Sequence, residues 1–473
     1  MPSIPVYNAH LALGDNPAHG VTAVQKAGLA AVALSLLGMT VALFSDLGAA
    51  YPIPMLTVIG GLLVGGVLTY VLDEYRRRSP GVRNEGVMFN PNMARGALGW
   101  VVGIVLTGLY VLLYWYPETL EGLIRVADPL SYTVRGSAAD QWFLYGTFYT
   151  VAVLVMGVRA LLKYRHSRYH VIRTFSVMFF QLGFAFLIPY LLVRFNEPEL
   201  YFHYFWPLDY DLLFPSQIGY LFESGGIGVF MVFWGAVLTF VAVPVLTYFF
   251  GKRWYCSWVC GCGGLAETAG DPYRHLSQKE LSAWKVERWL IHGVLVAIVV
   301  TTGLLWVDQA QGGAVLGGWS GTFAQGYGFY IGAIFSGVIG VGFYPLMGSR
   351  VWCRYGCPLA AMLGLVQRYF SRFRITTNGG QCISCGNCSA YCEMGIDVRW
   401  YAQRGQNVIR SSCVGCGICA TVCPRGVLAL ENGPRAGRFG EPTLVLIDDL
   451  DILEAPGEAG PPERPPETVT HSR

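Results

Sequence analysis

The sequence predicts an α-helical polytopic membrane bundle of about eight spans followed by a small cysteine-rich domain. Three observations carry this prediction. Charged residues make up 13% of the 473-residue chain and apolar residues 53%, where a soluble domain carries about 25% charge. Eight runs are apolar over the roughly 20 residues that a hydrocarbon core requires. All 13 cysteines lie at or beyond Cys256, most of them at close spacing.

The runs fall at about 27–48, 53–72, 98–116, 142–162, 174–193, 225–250, 288–307 and 328–347. The second has a short entry loop, so a re-entrant hairpin is the alternative to a full span. Residues 1–25 hold Asp15 and two histidines without a signal-type apolar core, so the first run is expected to stay as an anchor. Lys and Arg alternate between loops. Arg76, Arg77, Arg78, Arg83 and Arg95 follow the second run, Lys163, Arg165, Arg168 and Arg173 the fourth, and Lys252, Arg253, Arg274, Lys279 and Lys285 the sixth. The intervening loops hold Arg125, Arg135 and Arg194, and none lies between runs seven and eight. Positive loops stay in the cytoplasm. Both termini and every cysteine-bearing segment are therefore expected on that side, in a bacterial inner membrane. The loop Glu197 to Asp211 carries Tyr201, Phe202, Tyr204, Phe205, Trp206 and Tyr210 and reads as an interfacial aromatic belt, or else as a docking surface for an extracytoplasmic redox partner.

After the last span, Cys382, Cys385, Cys388 and Cys392 form a C-x2-C-x2-C-x3-C run, and Cys413, Cys416, Cys419 and Cys423 repeat it. Three thiolates on one tight loop hold three corners of a [4Fe–4S] cubane, and the fourth ligand comes from the other run. The expected sets are Cys382, Cys385, Cys388 and Cys423 for one cluster, and Cys413, Cys416, Cys419 and Cys392 for the other. A zinc site needs four ligands per ion and does not predict the third C-x2 step. Gly386 and Gly417 follow the second cysteine of each run and permit the turn. Over residues 378–432 the chain resembles bacterial two-cluster ferredoxins, which implies a small α+β two-[4Fe–4S] ferredoxin-like domain. Pro424 fits that pattern; Glu393 replaces the proline after the first run.

Two further pairs share a pattern. Arg253, Trp254, Cys256, Trp258 and Cys260 follow the sixth run, and Arg350, Trp352, Cys353, Tyr355, Cys357 and Pro358 follow the eighth. C-x3-C on a helix places two sulfurs one turn apart, so neighbouring spans would gather Cys256, Cys260, Cys353 and Cys357 into a four-cysteine metal or redox site near Arg253, Arg350 and Arg354. A further cluster, a transient metal, a dithiol, or four buried thiols acting as small hydrophobes all remain open. Cys262 reads as structural. Residues 225–432 resemble the membrane polyferredoxins of the NosR, NapH and CcoG types, with Gly261 in place of the usual proline after Cys260. The resemblance implies passage of electrons to or from an extracytoplasmic enzyme.

The domain layout that follows is a cytoplasmic segment 1–25, six spans over 26–250, a cytoplasmic loop 251–287, two spans over 288–358, an amphipathic surface helix 359–377, the two-cluster domain 378–432, and a disordered tail 433–473 with a short strand at about 442–453. His292, the one histidine inside a span, reads as a hydrogen-bonded bundle residue, since a bis-His haem needs two ligands at depth; His166 and His170, four apart in a loop, read as part of a solvated basic loop rather than as a metal site. Gln181 reads as a helix–helix link or as a quinone hydrogen-bonding group. Glu223 reads as interfacial. A net charge of +3 without basic runs excludes nucleic acid as a partner, and no hydrolytic nucleophile with its base stands out. Membrane lipid, a redox partner protein and a quinone are the expected partners. The leading function is electron transfer between a cytoplasmic or quinol donor and a partner across the membrane. The alternatives are a metallocentre-assembly factor that binds and reduces copper at the four-cysteine site, and a redox sensor.

Overall fold

The computed structural model describes residues 21–76 and 96–433. The arginine-rich stretch 77–95, the strand expected at 442–453 and the C-terminal tail lie outside them. Seven helices are long and apolar enough to cross a membrane: α1 (Ala23–Leu43), α2 (Pro52–Arg76), α3 (Ala97–Trp115), α4 (Gln141–Lys163), α5 (Arg168–Arg194), α6 (Gly226–Phe250) and α7 (Leu281–Ala310). Each covers a predicted run, and α2 is an unbroken helix of 25 residues rather than a hairpin. The eighth run forms α8, an α-helix Ser320–Tyr327 that continues as a π-helix Gly328–Ile339 before a turn and a last helical turn Tyr344–Met347. Its glycines, tyrosines and Gln325 leave it less apolar than the other seven.

Local chemistry fixes these elements. Thr22 caps α1, and Gln25 reaches back to the Thr22 amide in a capping box. Close approach of α1 and α2 rests on small residues: a Cβ on Gly28 would stand 2.7 Å from the Gly66 carbonyl oxygen. Helices α5 and α6 widen into π turns at Phe180–Leu187 and Leu238–Ala242, each running into a proline, Pro189 and Pro244. A proline ring displaces the carbonyl four residues back and offers no N–H, and a π turn accommodates both losses.

The aromatic loop between α5 and α6 packs against the bundle. Leu200, His203, Phe205, Leu212 and Phe214 are buried. Trp234 Nε1 donates to the Phe202 carbonyl (2.7 Å), Thr239 Oγ1 to that of Trp206 (3.2 Å), and Tyr255 hydroxyl to that of His203 (2.8 Å). Trp234 and Thr239 lie midway along α6, so the loop folds back into the bundle. Irregular backbone at that depth requires internal donors, and these side chains supply them.

Beyond α8, helix α9 (Pro358–Tyr369) and strands β1 (Phe373–Thr377) and β2 (Leu428–Asn432) frame the cysteine-rich module. The strands pair antiparallel, Phe373 with Asn432 through Thr377 with Leu428. The surface helix expected over 359–377 is thus corrected twice. It ends at Tyr369, because Phe-Arg-Ile-Thr-Thr favours a strand. It also packs inward, with Leu359, Ala360, Ala361, Leu363, Gly364 and Gln367 buried.

Candidate metal centres

The two cysteine runs fold alike. Gly386 and Gly417 take left-handed conformations (φ 80° and 81°) and cap four-residue helices that carry Cys388 and Cys419. The fourth cysteine of each run accepts a backbone N–H from four residues on: Ile396 N to Cys392 Sγ at 3.4 Å and Val427 N to Cys423 Sγ at 3.3 Å. One cavity is lined by Cys382, Cys385, Cys388 and Cys423 together with Pro424 and Arg399. Burial pushes the Cys388 thiol up to about 12, with the Cys385 and Cys423 thiols adding to the rise. Burial likewise raises Cys419, followed by its neighbours Cys416, Cys413 and Cys392. The first three cysteines of each run therefore face the fourth of the other. All-thiol donor sets with amides aimed at sulfur fit [4Fe–4S] cubanes, whose thiolates are tuned by such hydrogen bonds.

The second run is clamped to the membrane bundle through four consecutive carbonyls. Cys413 accepts from Gln367 Nε2 (2.8 Å), Val414 from Ser257 Oγ (2.8 Å), Gly415 from Tyr169 hydroxyl (3.0 Å), and Cys416 from Arg173. His170 joins them, its Nε2 lying 2.7 Å from Thr421 Oγ1. It is buried at the module interface rather than solvated in a loop.

Cys256, Cys260, Cys353 and Cys357 are all buried in one cluster beside this loop. They do not share one helix per pair. The first cysteine of each pair sits in a short helix, Arg253–Cys256 or Val351–Tyr355, and the second is the extended cap of the next helix, Gly261–Glu267 or α9. The turns match bond for bond: Cys260 N donates to the Tyr255 carbonyl (2.9 Å) and Cys357 N to that of Trp352 (3.0 Å). Cys256 feels Cys260 and Cys353, and Cys357 feels Cys353, Cys256 and Cys260. Gly261 stands where Pro358 stands in the second motif, and a Cβ there would lie 3.2 Å from Gln181 Oε1. Gln181 Nε2 donates to Thr150 Oγ1 (3.1 Å), a helix–helix link. Cys262 stands beside Cys260 and lowers its thiol pKa. His292 is exposed and hydrogen-bonds the Arg288 carbonyl of its own helix.

A buried ionic network lies between bundle and module. Glu267 pairs with Arg173 (2.7 Å), Arg350 (2.8 Å) and Arg274; Glu393 pairs with Arg274 (2.6 Å) and Arg350 (3.1 Å); Asp271 pairs with Lys163 (2.6 Å), Arg274 (2.6 Å) and Arg159 (2.9 Å). Glu267, Glu393 and Cys416 come within 4.8 Å of one another, but the carboxylates are engaged by guanidiniums, so this is an ion-pair knot rather than a metal site. Arg350 Nη1 also meets the Cys256 carbonyl (3.0 Å) and lies 3.7 Å from Cys353 Sγ. Glu393, conspicuous in the sequence as the missing ferredoxin proline, therefore helps to dock the module. His203 escaped notice because it reads as one ring in an aromatic loop; its two ring nitrogens are buried without a partner among the described residues.

Fold and sites together define a membrane-spanning iron–sulfur protein of ferredoxin type. A 4Fe-4S binding domain matches residues 232–280 and 329–377, the two segments that hold the C-x3-C pairs, and a 4Fe-4S dicluster domain matches 381–429. The chain is 31% identical over 173 residues to the "Putative electron transport protein YccM" of Escherichia coli (strain K12), covering 34% of this chain and 47% of that protein. It is 31% identical over 151 residues to the "Methylamine utilization ferredoxin-type protein MauN" of Paracoccus denitrificans (strain Pd 1222), covering 30% and 48%. The chain spans about half the length of these curated relatives. No solved structure matches it. These domains and relatives support a membrane polyferredoxin-like family, and the domains support two [4Fe–4S] clusters.

Proposed function

We propose that this protein carries electrons between a cytoplasmic or quinol donor and a redox partner across the membrane. The observation that carries the reading is the clamp on four successive carbonyls of Cys413–Cys416, which seats the second cysteine run against the four-cysteine group in the bundle. Bound clusters supply reversible one-electron chemistry. The residues supply order. Cys382, Cys385, Cys388 and Cys423 line the cavity away from the clamp and hold the distal cluster. Cys413, Cys416, Cys419 and Cys392 hold the proximal one. Cys256, Cys260, Cys353 and Cys357 hold a third thiolate-bound centre inside the bundle. The module sits at the same end as Lys163, Arg165, Arg168, Arg253 and Lys279, and the positive-inside rule assigns that end, with both termini, to the cytoplasm.

Anaerobically purified protein should contain about eight iron atoms from the two ferredoxin cubanes, and more if the bundle site also holds a cluster. Replacing Cys385 and Cys416 by serine should abolish electron flow while membrane insertion persists. Continued flow, or zinc in place of iron, ends the reading. Stoichiometric copper that vanishes on replacing Cys256 and Cys353 by serine would shift it to metallocentre assembly, since thiolates suit Cu(I).

A further inference from the structure

One buried cation has no partner in the network. Lys252 is fully buried, and among the described residues no carboxylate lies within 4.0 Å of its ammonium. Its Nζ donates to the Ala360 carbonyl at 3.3 Å, its backbone N–H to Gln367 Oε1 at 2.7 Å, and its carbonyl accepts from the Cys256 amide at 3.0 Å. Each of these contacts leads to a cysteine. Cys256 is one helical turn away. Ala360 lies in the first turn of α9, and its amide points at Cys357 Sγ (3.4 Å). Gln367 holds the Cys413 carbonyl (2.8 Å). Lys252 therefore stands where the bundle pair, the second pair and the proximal ferredoxin run converge, with its ammonium on the Ala360 carbonyl.

A lone ammonium in a low-dielectric interior is disfavoured unless an anion faces it. The groups near Lys252 that can carry negative charge are the cysteines that these contacts lead to. Burial raises Cys256 to about 12, and the Lys252 charge is the first influence to oppose it. Cys413 is raised to about 11 by burial, against the Gly415 amide and, further off, the same lysine. Arg350 supplies a second cation beside Cys353. Four protonated thiols would leave this charge unanswered, whereas metal-bound thiolates answer it.

We propose that Lys252 is the counter-ion shared by the bundle four-cysteine group and the proximal ferredoxin site, facing the thiolates that hold a metal at each. This rests on the electron-carrier reading for the existence of the bundle centre. A shared cation favours the more negative, reduced form of both centres and leaves the distal one untouched. It is a positioning charge and does not itself exchange electrons.

The test is a redox titration of the full-length protein, purified anaerobically in detergent, followed by EPR, for the wild type, Lys252→Met and Lys252→Arg, with metal counted in each. The expected result is a lower midpoint for the proximal and bundle centres in Lys252→Met, an unmoved distal midpoint, and recovery in Lys252→Arg. Unchanged midpoints, or an equal shift of all centres, overturn the proposal while leaving the carrier reading intact. If the bundle site holds no metal but the proximal midpoint shifts, the carrier reading loses its third centre and the assignment of the four cysteines as thiolates falls with it. Should Lys252→Met lose its iron, Lys252→Gln, which retains a donor for Ala360, takes its place. Loss of iron in both, with retention in Lys252→Arg, supports a charge requirement. Loss in all three, Arg included, overturns it.

Discussion

At the residue scale, the two glycines after the second cysteines appear equivalent in sequence and differ in their surroundings. Gly386 and Gly417 share φ near 80°, where an added Cβ costs roughly 1–2 kcal/mol. A Cβ on Gly386 meets nothing closer than 3.8 Å, from Arg399 Nη1, whereas one on Gly417 lies 3.0 Å from Tyr169 Cε1 and 3.2 Å from Leu430 Cδ2. Gly386→Ala should therefore lose only the backbone term. Gly417→Ala should also displace Tyr169, whose hydroxyl holds the Gly415 carbonyl. Iron retention on mild heating, resolved by the EPR of the two clusters, should fall further for Gly417→Ala and at the proximal cluster first; equal losses would show that the Tyr169 contact is unimportant. Legibility divides along the same line. The eight ferredoxin cysteines and their glycines stand out because a cubane demands fixed spacing. Lys252 and His203 do not, because nothing in spacing distinguishes a buried lysine from an interfacial one.

At the element scale, the bundle and module are joined by charge as much as by apolar packing. Arg274 meets Glu267, Asp271 and Glu393, with no part of its side chain exposed. Removing one partner from such a knot leaves another charge buried and costs about 3–5 kcal/mol. Glu393→Gln should thus loosen the module without unfolding it, freeing the β1 approach at 370–372, already largely exposed, for faster protease cleavage; an unchanged cleavage rate would refute this. Asp271 gives a pH signature. Burial alone would raise its carboxyl, but Lys163, Arg274 and Arg159 hold it well below its ordinary 3.8. A depressed carboxylate contributes stability that is complete above the unfolded value and lost as pH falls through the folded one. Tertiary structure, followed by tryptophan fluorescence, should therefore hold through pH 4 and fail below it, and Asp271→Asn should be less stable at neutral pH with a flatter acid limb. Glu393 was visible in the sequence as a departure from the ferredoxin pattern, but its partners come from residues 274 and 350, too far apart for spacing to connect. The helix expected at 359–377 erred for a related reason. An amphipathic stripe marks one apolar face, and it does not say whether lipid or a packed domain will cover that face.

At the scale of the whole molecule, seven hydrophobic spans were plain from composition, and the fold-back of the aromatic loop was not, since rings serve equally at an interface and within a bundle. What the architecture adds is a polarity. Every described cysteine gathers at the end that carries the module, while the turn between α7 and α8, residues 311–319, lies at the other. That distribution makes orientation measurable with little background. Ala314→Cys would place an exposed thiol on the far end, and Arg404→Cys one on the module surface. If the arginine-rich end is cytoplasmic, an impermeant maleimide added to intact cells with a permeabilised outer envelope should label Ala314→Cys strongly and Arg404→Cys only after the inner membrane is broken. Native thiols should contribute little before lysis, because four of the five bundle cysteines are buried and the module cysteines lie behind the inner membrane; after lysis the Arg404→Cys signal is read against the parent protein. The reverse labelling pattern would put the clusters outside and remove the cytoplasmic donor from the proposed route. It would also leave Lys163, Arg165 and Arg168 on the side that the charge rule forbids, so a single measurement bears on both the electron path and the electrostatics that orient it.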